Sequence, residues 1–129
     1  MGARLVYAKV IDREIFYVKH HGKVHPGLDS EVVLREEPGV ANAFLVLRAW
    51  SEDSGTFTEQ WRIEGMGGGI IYEGLPREIH AATQTHIERL EDEVADLKFE
   101  YSGDYTVVFT LDENEVARAS FSVEPAGDR

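Results

Sequence analysis

Cysteine is absent from all 129 residues. That removes disulfides, thiolate zinc sites and cysteine nucleophiles together. No apolar run reaches the roughly 18 residues of a membrane span, so the membrane is not an expected partner. The first residues, MGARLVYAKV, contain one Arg and no long apolar core, so a secretory signal is not expected. Val6 stands where a myristoylation pattern wants Ser or Thr. These absences fit a cytoplasmic protein, or part of a particle assembled in the cytoplasm. Thermolabile residues are scarce: Asn42, Asn114, Gln60, Gln84, Met1 and Met66 are the whole Asn, Gln and Met content. With 29% charged residues, the composition leans toward a thermophilic source. Basic residues are also short, 13 against 24 acids, for a net charge of −11. Phosphate contacts need a basic face, so nucleic acid is not an expected partner.

What is present is enough for a packed domain. Apolar residues make up 43% and aromatics 10%, which excludes a disordered chain. The length suits one core, and the expectation is a single domain over 1–124 with a frayed tail over 125–129. The charge is unevenly placed. Residues 1–25 hold Arg4, Lys9, Arg13, Lys19 and Lys23 against Asp12 and Glu14, a net of +3. The remainder holds 8 basic and 22 acidic side chains, a net of −14. One reading is an acidic protein with a mixed edge; the other is a basic end that meets the acidic surface of a neighbouring copy.

The order of segments is mainly β. RLVYAKVI (4–11) and EIFYVKHH (14–21) are rich in β-branched and aromatic residues, and Asp12-Arg13 between them reads as a two-residue hairpin turn. GKVHPGLDS comes next as a loop. EVVLREE (31–37) is a short strand. ANAFLVLRAWSED (41–53) carries apolar residues on both faces, the mark of a strand covered on both sides. TFTEQWRIEG (56–65) needs a bulge to keep its aromatics together.

Five of the twelve glycines fall in GMGGGIIYEG, 65–74. Ile70, Ile71 and Tyr72 are β-formers, so a strand succeeds the run. A dinucleotide fingerprint wants glycine at 70, and a P-loop wants Gly-Lys-Ser/Thr at its end. Neither is met, and no helix N-terminus stands behind the glycines to aim N–H groups at a phosphate. The run reads as a hairpin turn without an anion role.

Residues 85–98, THIERLEDEVADLK, are the one helical window. Ile87, Leu90, Val94 and Leu97 recur at helical spacing, and Thr85 with Glu88 makes a capping-box pattern. A strand over THIERLE and then a single turn is the alternative. In the tail, Tyr105, Val107, Phe109 and Leu111 share one face at period two, and 116–124 returns antiparallel after LDENE.

The tail GDYTVVFTLDENEVARASFSV resembles the final hairpin of bacterial immunoglobulin-like sandwich domains, where Gly-x-Tyr opens the penultimate strand and Phe-x-Val closes the last. The head VYAKVIDREIFYVKHHG is similar to the first hairpin of a small bacterial family of unknown function. Together they cover roughly a third of the chain. The resemblance implies a mainly β fold, an antiparallel immunoglobulin-like β-sandwich, to which the periodicity above adds at most one short helix near 85–98. It implies a scaffold without attached enzyme chemistry, and fold alone does not give function.

No catalytic motif is found. G-x-S-x-G is absent, LDENE lacks the glycine and distal Glu of an EF-hand, and an abundance of acids is not by itself a glycosidase signal. His21 and His25 have the four-residue spacing of a helical zinc site, but Gly22 and Pro26 argue against a helix there. His20, His21 and His25 read as solvated loop residues, with a divalent site completed by a remote carboxylate as the competing reading. The expectation is therefore a non-enzymatic accessory, adaptor or particle-decorating subunit, with no cofactor, no catalytic residues and no metal site. It works through contact with a protein partner or a second copy, and Lys9, Lys19 and Lys23 are the expected contact residues. The alternatives are a small-ligand or carbohydrate-binding module using Trp50 or Trp61, and a metal-dependent enzyme. Both tryptophans sit among apolar neighbours, which equally suits a core position.

Overall fold

The structure is a computed structural model that describes residues 3–35, 39–52, 55–81 and 87–126. Among the described residues the chain forms eleven strands and one short π-helix. They are β1 (Ala3–Asp12), the π-helix (Ile15–Lys19), β2 (Glu31–Leu34), β3 (Gly39–Val40), β4 (Phe44–Glu52), β5 (Gly55–Glu64), β6 (Ile70–Glu73), β7 (Arg77–Ala81), β8 (Ile87–Val94), β9 (Lys98–Phe99), β10 (Gly103–Leu111) and β11 (Asn114–Pro125). No helix among the described residues is long and apolar enough to cross a membrane.

One sheet runs β1-β4-β8 and a second runs β2-β11-β10-β5-β6, with β7 also on β5; β3 and β9 form a third, two-stranded sheet. Lettering β1, β4 and β8 as A, B and E, and β5, β10 and β11 as C, F and G, gives the two sheet orders of an immunoglobulin-like sandwich. The fold is mainly β and largely antiparallel. β2 pairs with β11 in parallel, from Glu31 opposite Ser122 to Leu34 opposite Pro125. Pro125, expected in a frayed tail, is thus the last residue of β11, and Ala126 N–H donates to Leu34 O at 2.9 Å. Residues 127–129 lie outside the described residues.

The chain forms two compact units. One comprises residues 1–8, 48–90 and 105–120, the other residues 9–47, 91–104 and 121–129. In the first, Trp50 on β4 meets Phe109 on β10 edge to face, ring centroids 6.0 Å apart, so side chains of the two sheets interdigitate. Trp61 stacks on Tyr72 at 5.6 Å. Register between β5 and β10 runs from Glu59 opposite Leu111 to Glu64 opposite Thr106. In the second unit, Val10, Ile11, Phe16, Leu28, Val32, Leu34, Phe44, Phe99, Phe121 and Val123 are buried, with the Phe44 and Phe99 rings 6.1 Å apart.

The glycine run is the β5–β6 turn. Gly65 N–H donates to Gly69 O at 2.9 Å and Gly68 N–H to Gly65 O at 3.0 Å, while Gly68 holds a φ of +85° that suits only a residue without Cβ. The expected irregularity in β5 is a register shift at Ile63/Glu64. LDENE is a tight turn in which Asp112 and Glu113 both have positive φ, 50° and 73°, as a twisted two-residue hairpin requires.

Two expectations are corrected. The first hairpin does not form: β1 ends at Asp12, and 15–19 is the π-helix rather than a strand. The Asp12 carboxylate accepts the Ile15 N–H at 3.0 Å, so the residue read as a turn starts a helical turn instead. The helix near 85–98 does not form either: 87–94 is β8, and Thr85 and His86 lie outside the described residues. Burial along β8 alternates strictly, ending on buried Val94. β4 is apolar on both faces and has β1 on only one edge; β8 fills the other, and that backbone pairing outweighs a local helical stripe. Among the described residues the one short helix is therefore at 15–19. β7 is a strand that the sequence pattern alone did not assign.

Candidate functional site: the π-helix surface and the histidine loop

The second unit concentrates exposed, chemically varied side chains around the π-helix. Asp12 caps the turn through Oδ1, and Arg13 N–H donates to Ala43 O at 2.9 Å, tying the turn to the start of β4. Phe16 is buried and anchors it from below. The turn closes where His21 and Gly22 both take left-handed φ, 56° and 70°, and Gly22 N–H donates to Phe16 O at 2.9 Å, a closure one residue longer than the Schellman bond. A Cβ at Gly22 would come within 3.1 Å of the Tyr17 ring, a tight contact in addition to the strain of its positive φ.

With Phe16 turned inward, Tyr17 and Val18 face outward, 45% and 70% exposed. The Tyr17 hydroxyl donates to Glu91 Oε2 on β8 at 2.8 Å, and Arg13 pairs with Glu93 at 3.4 Å. The hydrogen bond to Glu91 favours the neutral phenol, and burial and the Glu91 charge act the same way, so Tyr17 titrates above its ordinary 10.0 while Arg13 pulls weakly in the other direction. Beside the turn lies an open cleft of about 530 Å³ lined by Asp12, Arg13, Glu14, Tyr17, Val18, Asn42 and Ala43. Asp12 Oδ2 is buried and has no hydrogen-bond partner among the described residues.

Lys19 is exposed in the last turn of the π-helix, and Lys23 is exposed in the loop beyond it. Lys9 is half-buried on β1, an edge strand of the three-stranded sheet. Only Lys9 is therefore on a strand edge; the missing hairpin places Lys19 and Lys23 on the helical turn and its loop. None of the three makes an ion pair among the described residues. The loop beyond Lys19 is held by Lys23 N–H to His20 O and Leu28 N–H to His25 O, both 3.0 Å, with Leu28 buried beneath it. His20 Nδ1 and His25 Nε2 come within 3.1 Å of each other, with ring centroids 5.0 Å apart. Sequence spacing singled out His21 with His25; the fold pairs His20 with His25. No group of three or more potential metal ligands occurs among the described residues.

Trp50 and Trp61 are 0% and 2% exposed, so neither indole offers a face to a ligand. They lie in the first unit, where sequence reasoning missed the most unusual polar feature. Arg48 and Glu59, 0% and 1% exposed, form a two-pronged ion pair at 2.8 and 2.6 Å, and Trp50 Nε1 donates to Glu59 Oε2 at 2.6 Å. The only signal in the sequence was a charge inside an otherwise apolar strand, Arg48 between Leu47 and Ala49. On the same unit Arg62, Glu64, Glu115 and Arg118 form a surface network, with Arg118 holding Glu115 at 2.6 and 3.1 Å.

Neither a protein-family model nor a curated protein matches the sequence. Solved structures do share the fold. An alkylpurine DNA glycosylase from Pseudomonas fluorescens, bound to DNA containing an abasic site analogue, aligns at 10% identity and a TM-score of 0.56 over 95% of this chain. The alignment takes in only 30% of the glycosylase. A CARDB domain of the PF1109 protein from Pyrococcus furiosus, in complex with di-metal ions, aligns at 13% identity and a TM-score of 0.51 over 96% of each chain. An immunoglobulin-like protein from Pseudomonas aeruginosa aligns at 10% identity and a TM-score of 0.47 over 95% of this chain and 97% of its own. At such identities the likeness concerns the fold alone.

Proposed function

We propose that the chain is a non-enzymatic contact module that binds an acidic protein surface through the π-helix and its loop, with a second copy of the chain as the first partner to test. One observation carries the reading. A single helical turn presents an exposed tyrosine, an exposed valine and a lysine without an ion pair among the described residues, in succession beside an open cleft. Tyrosine is among the residues enriched at binding hot spots, and cations around it steer an acidic partner. The rest of the chain, net −14, supplies such a partner in any second copy.

Sedimentation velocity at low and high salt tests this with wild type and the Lys19→Glu/Lys23→Glu variant. The wild type is expected to associate at low salt and dissociate as the Debye length shrinks from about 10 Å toward 3 Å. The variant is expected to remain monomeric throughout. A wild type that is monomeric at every salt removes self-association. An association that the double variant leaves intact removes this surface.

A further inference from the structure

The histidine loop offers chemistry that the contact reading does not use. His20 Nδ1 and His25 Nε2 lie 3.1 Å apart on a loop with its own closures: Lys23 N–H to His20 O, Leu28 N–H to His25 O, and buried Leu28 as an anchor. Neither ring is committed elsewhere among the described residues.

Two arrangements bring imidazole nitrogens this close. In one, a neutral ring donates N–H to the other. A straight bond of that kind would put the ring centroids about 5.4 Å apart, the nitrogen contact plus the two ring radii. The observed separation is 5.0 Å with the planes inclined at 45°, shorter than a straight bond gives. In the other arrangement both nitrogens face one cation. With metal–nitrogen bonds of about 2.0–2.1 Å, a 3.1 Å separation gives a nitrogen–metal–nitrogen angle of about 100°. That lies between the square and tetrahedral values and suits adjacent ligands on a single ion.

We infer that His20 and His25 form a two-point clamp for a divalent transition-metal ion, bound through Nδ1 of His20 and Nε2 of His25. The ligand type selects the metal class. Imidazole suits Zn²⁺, Ni²⁺ and Cu²⁺, whereas Mg²⁺ and Ca²⁺ require oxygen donors. Two protein ligands leave coordination positions open to water or to a donor from another molecule. Lys19 precedes the loop and Lys23 lies within it; both oppose a cation electrostatically, which sets the site toward modest affinity. Loop closure by the metal would join residues 20 and 25 without changing the fold beneath.

The test is a Zn²⁺ titration of tag-free protein, read by the imidazole nitrogen resonances in long-range proton–nitrogen correlation spectra. The expected result is one saturable equivalent, with His20 Nδ1 and His25 Nε2 shifting on a common isotherm. Loss of an outer-shell partner already costs metal sites roughly 10–100-fold, so His20→Ala and His25→Ala should each weaken Zn²⁺ by about tenfold or more. His80→Ala, in the other unit, should change nothing. Absence of saturable binding at millimolar Zn²⁺ overturns the clamp. So does binding through the opposite ring nitrogens, or binding that survives either loop substitution. Should a substitution disturb the loop itself, the nitrogen shifts of the wild type still decide which atoms hold the metal.

Discussion

Replacing Glu59 with Gln removes the charge around which Arg48 is folded, and the size of the effect comes from the geometry. Glu59 accepts three short hydrogen bonds, two from Arg48 at 2.8 and 2.6 Å and one from Trp50 at 2.6 Å, with both ionic side chains almost wholly buried. An amide keeps one acceptor oxygen and turns the other position into a donor that faces donors. It also takes the Glu59 charge away from a guanidinium at 0% exposure. Breaking a buried pair from one side costs about 3–5 kcal/mol, a large share of the roughly 5–15 kcal/mol that holds a domain together. With a urea slope of about 2 kcal/mol/M, the unfolding midpoint should fall by about 2 M. Arg48→Met should cost a similar amount. Replacing both, Arg48→Met with Glu59→Leu, removes the ionic desolvation cost but strands the Trp50 N–H, a loss of about 1–3 kcal/mol. The double variant should therefore be more stable than either single one. Urea unfolding monitored by circular dichroism and tryptophan emission gives these stabilities, and a Glu59→Leu single variant closes the cycle. A single substitution costing less than about 1 kcal/mol, or costs that simply add in the double variant, would refute the reasoning.

Three further perturbations probe the turns and the tyrosine. Gly74→Ala should destabilise by about 1–3 kcal/mol, because its Cβ would lie 2.5 Å from the buried Trp61 indole, whereas Gly67→Ala, with nothing within 4 Å, should stay within about 0.5 kcal/mol in the same urea assay. Gly68→Ala should cost about 1 kcal/mol from its φ of +85° and leave ATP binding undetectable by calorimetry in both proteins; ATP binding lost on substitution would restore a phosphate role to the run. Tyr17 should titrate above 10.0 in tyrosine ¹³C spectra, and Glu91→Gln should bring it back toward that value. Its folded-state shift is upward, so its contribution to stability is complete below pH 10 and lost as the pH rises through the folded value. An unshifted Tyr17 would mean that the Glu91 contact does not persist in solution.

The sequence by itself determined the class of fold and most of its strands, and the reason is local. Period-two burial in 103–111, the both-sided apolar run at 44–50, and glycine and Asp-Glu turns are properties of neighbouring residues, so they can be read without a partner strand. The glycine run could be dismissed as a phosphate loop for the same reason: Ile70, Ile71 and Tyr72 come directly after it and form a strand. Residues 15–19 and 87–94 were misread because their local preference disagrees with their tertiary setting. Ile15 to Val18, all β-formers, became a helical turn once Asp12 capped them and Phe16 found the core. A helical stripe became a strand because β4 had an unpaired edge to fill. The candidate sites depended still more on the fold. Lys19 and Lys23 were visible as charge, but their place on a helical turn beside a cleft was not. Both tryptophans could have been either core or ligand platform until burial decided for core. Arg48 with Glu59, and His20 with His25, are pairs made by chain folding over 11 and 5 residues. Spacing in sequence carries no information about which side chains a sandwich brings face to face, because that is set by sheet register and by the closure of loops at its ends.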